Sequence, residues 1–170
     1  MNWPYLHLTV NHWPVMVTAL GLLVLVCAFV TKKRGIWMYA MATLALAGLS
    51  GWPIWLTGDQ AEDMVQPKHI VSSKRLEEHH ERATLAAWVL GAMGVVAIYG
   101  LWRTRRAGGE EPPPAWLRAA VGITALAGML TVYLAALTGG HIVHGVNSLT
   151  GPPSIITPPP APGDTVHEED

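Results

Sequence analysis

The sequence predicts an all-α fold, an integral membrane four-helix bundle arranged as two parallel-repeat helical hairpins. Three observations point there. First, four apolar runs cover about residues 14–31, 36–56, 83–102 and 115–137. A run of about 20 apolar residues crosses the roughly 30 Å hydrocarbon core of a bilayer. Its backbone groups find no partner in lipid, so it must be helical. Second, tryptophans collect at the run ends. Trp3, Trp13, Trp52, Trp55 and Trp88 fall at one boundary and Trp37, Trp102 and Trp116 at the other, as two interfacial belts require. Third, the spans hold no Asp, Glu, Lys or Arg in their interiors, which disfavours a transporter with a charge site at the bilayer midplane.

Residues 1–11 are aromatic and uncharged and read as an interfacial segment preceding a membrane domain over 12–147. Pro14 suits the first turn of a helix, where its missing N–H costs nothing. No basic stretch precedes the first run, so that run reads as a span and not as a cleaved signal. Cys27 lies mid-span and reads as a packed apolar thiol. Pro53 removes a helical hydrogen bond near the end of the second run. The segment 57–82 is long and charged. From Ser73 it reads as helix, with a Ser cap and Glu77 and Glu78 in the early turns. The link 107–114 (AGGEEPPP) is a solvated connector. Residues 148–170 form a Pro-rich acidic tail, read as extended or disordered.

Orientation follows from Lys and Arg. Lys32, Lys33, Arg34, Arg103, Arg105, Arg106 and Arg118 flank one side, against Lys68, Lys74, Arg75 and Arg82 on the other. This bias puts the first set in the cytoplasm and both termini outside, so that they face the periplasm or the cell exterior. A net charge of −1 gives no electrostatic case for nucleic acid.

All eight histidines then share the outer side. His7 and His12 precede the first span. His69, His79 and His80 lie between the second and third. His141, His144 and His167 follow the fourth. Imidazole is the commonest metal ligand. A faint repeat pairs Leu56-Thr57-Gly58 with Leu137-Thr138-Gly139, and sets His12 and His80 opposite each other at the entrances of the first and third helices. The cofactor-binding candidates are therefore His12, His80, His141 and His144. They would hold haem b through axial imidazoles, or Cu or Zn through His12 and His80 with Glu62 and Glu81. His79 points about 100° away from His80 on its helix and is set aside. His69 and His167 read as polar loop and tail residues. No CxxC, CxxCH, phosphate loop or HExxH is present.

The order of several short motifs resembles a bacterial family of small four-helix membrane proteins of unknown function. Leu6-His7 and Asn11-His12-Trp13-Pro14 resemble its LHPxxxHFP opening. Thr57-Gly58, His80-Glu81 and the stretch Thr138-Gly139-Gly140-His141-Ile142-Val143-His144-Gly145 resemble its later TG, HE and TG–GG–LV–G motifs. The resemblance covers about residues 5–147. Leu8 replaces the usual Pro, and His144 stands where relatives tend to carry an aromatic. Some relatives are joined to c-type cytochrome modules, which implies a redox setting and a c-type cytochrome as partner.

The leading functional reading is a non-catalytic electron-transfer subunit holding haem or a metal near the outer face. The alternative is a structural subunit of a larger energy-transducing membrane complex, with no cofactor of its own. A third reading is a metal-dependent enzyme with Glu81 as base. The orientation is tested by cysteine labelling. Membrane-impermeant thiol reagent added outside should label Gln60→Cys and spare Gly109→Cys, and the reverse pattern would invert the assignment.

Overall fold

In the computed structural model, which describes residues 2–68 and 73–144 and leaves out the side chains of Lys68, Val143 and His144, the chain is all helix apart from turns. The elements are α1 (Trp3–Val10), α2 (Trp13–Thr31), α3 (Arg34–Val65), a 3-10 turn (Gln66–Lys68), α4 (Ser73–Ala107) and α5 (Ala115–His144). Four helical segments are long and apolar enough to cross a membrane: Trp3–Thr31, Arg34–Val65, Ser73–Ala107 and Ala115–Ile142. His69, His167 and the tail 148–170 lie outside the described residues.

Local chemistry sets the ends. Asn2 caps α1 by accepting the Tyr5 N–H on its side-chain oxygen at 3.2 Å. Pro14 sits in the first turn of α2, as its lack of an N–H permits. Lys32 closes α2 in the left-handed region at φ 56°, with its N–H on Ala28 O. This makes the α2–α3 link only two residues long. Arg34 Nη2 donates to Thr104 O at 3.0 Å, satisfying a carbonyl in the last turns of α4. Gly108 and Gly109, at φ 64° and 69°, turn the chain out of α4.

One element of the central pair runs further than the sequence suggested, and the other starts where it was expected. α3 continues through Pro53 to Val65, more than two turns past Leu56. α4 starts at Ser73, so both helices of this pair extend well beyond the apolar spans. α1 is a separate short helix, joined to α2 by a turn at Asn11-His12.

α3 packs most heavily on α4, α4 on α5 and α2 on α3, and α2 also meets α5, which closes the up-down-up-down bundle. α1 lies against α3. The core is a column of Leu25, Trp37, Met41, Leu44, Leu90, Met93, Leu117, Val121 and Ala125. Outward faces carry Leu20, Leu23, Val26, Leu49, Val95, Ile123 and Leu126, all more than half exposed. An apolar exterior of this kind suits lipid and would be an aggregation hazard in water. Cys27 belongs to this surface, since it is exposed and not packed as the sequence suggested. Its position falls on the outward side of α2, beside Val26 and Val30.

Close approach relies on small residues. A Cβ on Gly48 would lie 2.5 Å from Gly94 Cα and 2.7 Å from Leu90 O. Both neighbours are backbone, so they cannot swing aside. Association in lipid relies on such tight packing, because no hydrophobic effect drives helices together there. Gly48→Val should therefore force α3 and α4 apart, costing about 1–3 kcal/mol or more, read as a lowered melting midpoint in detergent. Gly35→Ala, whose Cβ would meet nothing within 4 Å, should leave the midpoint unchanged.

Candidate functional site

A cavity of about 210 Å³ opens at the histidine end, between α1, the start of α2, α3, α4 and α5. Its walls are mostly apolar, with Val15, Ile54, Ala83, Ala86, Leu90 and Val132 among them. Three imidazoles line it: His7, His12 and His79.

His7 and His79 are held in the same way. The Thr57 hydroxyl donates its one hydrogen to Ile54 O at 2.7 Å. Its oxygen is then free to accept from His7 Nδ1–H at 3.0 Å. The Thr138 hydroxyl likewise donates to Ala135 O at 2.9 Å. His79 Nδ1–H donates to Thr138 Oγ1 and to Ala135 O, each at 3.1 Å. A carbonyl oxygen can only accept, so Nδ1 of His79 must carry the proton. In both rings Nε2 makes no hydrogen bond to any described residue.

A glycine follows each threonine and admits the ring. A Cβ on Gly58 would sit 2.9 Å from His7 Cε1, and one on Gly139 would sit 3.0 Å from His79 Cε1. Each unit is thus a histidine, the threonine that fixes its tautomer and the glycine that leaves it room. The faint Leu-Thr-Gly repeat of the sequence marks two copies of one local structure.

The sequence suggested His12 opposite His80, and the structure pairs different rings. His12 lies at the head of α2, exposed, at the margin of the cavity. His80 turns away from the cavity and donates Nδ1–H to Glu62 Oε2 at 2.9 Å. Its ring also meets the edge of Trp55 at 5.9 Å, and Trp55 Nε1–H donates to Thr84 Oγ1 at 2.9 Å. Of the proposed metal set, Glu62 and His80 come together, while Glu81 is exposed on α4. His141 is exposed near the end of α5. Among the described residues, no three His, Cys, Asp or Glu side chains are placed to hold one metal ion.

Sequence reasoning passed over His7 and His79. For His79 a signal was present. Counting back from buried Leu90 and Ala86 by helical steps reaches Ala83 and then His79, so the inward seam of α4 runs through it. For His7 the pointer was Thr57-Gly58, whose twin Thr138-Gly139 stands beside the other histidine.

No protein family, curated protein or solved structure matches this chain. The tautomers are directly measurable. Nitrogen-15 NMR of the histidine rings should show Nδ1 protonated for His7, His79 and His80. Thr57→Val should shift the His7 signals alone, and Thr138→Val those of His79. A His79 ring protonated at Nε2 only would contradict the assigned bonds.

Proposed function

We propose that this chain is a small, non-catalytic electron-transfer subunit of a bacterial inner membrane. Both termini lie outside, and a redox group sits in the histidine-lined cavity. The observation that supports this is the pair His7 and His79, two imidazoles on one cavity with Nδ1–H tied down and Nε2 free. Metal-ligating histidines are held in this way, because a partner on the second nitrogen fixes the tautomer and raises ligand basicity. Imidazole suits iron, copper and zinc.

The cavity volume discriminates among these groups. About 210 Å³ is below the roughly 300–1,000 Å³ of clefts that enclose drug-sized ligands. A copper or zinc ion with bound water fits between the helices as they stand. If the group were haem b, His7 and His79 would be the residues to hold its iron, and the helix ends would have to part to admit it. His12 also lines the cavity, but His7, His79 and His12 are not placed to share one ion, so an ion held by His7 and His79 would take its remaining ligands from water. The resemblance to four-helix proteins that are joined to c-type cytochrome modules belongs to the same proposal and names a c-type cytochrome as electron partner.

A second reading is favoured by the bonds themselves. His7–Thr57, His79–Thr138 and His80–Glu62 each tie one helix to another. Such ties suit a structural subunit of a larger energy-transducing complex, in which the imidazoles brace the bundle end.

Reduced-minus-oxidised visible spectra and elemental analysis of the purified protein separate the two. On the redox reading the wild type carries one equivalent of metal or haem. His7→Ala and His79→Ala lose it while still inserting in the membrane, and Thr138→Val weakens metal affinity by about 10–100-fold. A colourless, metal-free wild type that co-purifies with other subunits, and whose melting midpoint falls in His7→Ala and His79→Ala, establishes the bracing role instead.

A further inference from the structure

The opposite, basic end carries a second feature that the histidine site does not use. Lys32, Lys33, Arg34, Arg103, Arg105, Arg106 and Arg118 gather there, against Glu110 and Glu111. The two ion pairs among the described residues, His80–Glu62 and Arg82–Glu78, are both at the histidine end. Arg105 and Arg106 thus have no acidic partner among the described residues. They border a shallow, open groove of about 350 Å³ on the face of α4, lined further by Ile98, Leu101 and Trp102. The guanidinium carbon of Arg106 lies 4.7 Å from the centre of the Trp102 ring. That stacking holds the flexible cation in place at the mouth of the groove. Ile98 and Trp102 are each 46% exposed.

We propose that this groove binds one anionic phospholipid, with its phosphate on Arg105 and Arg106 and an acyl chain along Leu101 and Ile98. Positions 98, 101, 102, 105 and 106 recur every three or four residues, so they form one stripe on α4. The stripe spans about 12 Å along the helix axis. It runs from apolar, inside the bilayer, through an interfacial tryptophan to paired guanidinium groups at the last turn. A phospholipid has the same order along its length. Guanidinium groups bind phosphate through paired N–H donors, and clustered basic residues at the cytoplasmic end of a membrane helix attract anionic headgroups. The inference rests on the four helices crossing a bilayer and is independent of the redox reading.

Native mass spectrometry tests it on the full chain, released from micelles containing equal phosphatidylglycerol and phosphatidylcholine. The wild type should retain phosphatidylglycerol with a preference of about tenfold or more. Arg105→Gln with Arg106→Gln should bring that preference close to unity. Lys32→Gln with Lys33→Gln, which removes equal charge from the same end, should keep it. A wild type without preference, or an equal loss in both double variants, would overturn the site in favour of diffuse charge attraction. Displacement of the lipid by millimolar inorganic phosphate would also overturn it, because the groove would then be a soluble-anion site. A measurement needing no variant is photo-crosslinking of the wild type with an acyl-labelled phosphatidylglycerol. Adducts concentrated at residues 98–106 support the site, and adducts spread evenly over the four spans refute it.

Discussion

Hydrocarbon offers no partner to a backbone N–H or C=O, and the rest of this structure depends on that constraint. It makes each span a continuous helix. It also removes the hydrophobic drive that would press helices together in water, leaving close contact to supply the attraction. Gly48 and Gly94 meet this need by letting the backbones of α3 and α4 touch. Once these two helices are locked, their extensions past the apolar spans are held side by side. Those extensions carry Thr57, Gly58, Glu62, His79 and His80. The core contact thus positions the polar end of the bundle without sharing a residue with it.

The spans and the helical start at Ser73 were legible in the sequence because each rests on a local property, either hydropathy or a capping residue, whereas Trp37, read as interfacial, is buried in the core. The reach of α3 to Val65 was not. Pro53, Gly58 and three acidic residues all argue against helix locally, and contact with α1 and α4 overrides them. The candidate histidines were legible as a set, since all lie at one end. Their ranking was not, because it used nearness to the apolar run. Burial follows the inward seam of α4, and that seam takes in His79 and leaves His80 to Glu62.

His7 and His79 show how a weak repeat acquires meaning. Thr-Gly is a common dipeptide, and two occurrences in apolar text carry little weight. In the folded chain both occurrences act alike. The hydroxyl orients an imidazole, and the missing side chain leaves space for it. The same dipeptide recurs because the same two jobs recur. The halves differ in what carries the ring. His79 belongs to the 35-residue α4, whereas His7 rides on the eight-residue α1.

That difference makes the two sides of the cavity mechanically unequal. α4 is anchored along its length between α3 and α5, so His79 stands on a fixed post. α1 has no fully buried residue and is tethered to α2 by a two-residue turn. Elements with few buried contacts open at the lowest free-energy cost. His7 therefore stands on the side of the cavity that yields more readily. On the proposed redox reading, both imidazoles would share the equilibrium grip on a bound ion, while the rates of capture and release would follow the mobility of one of them.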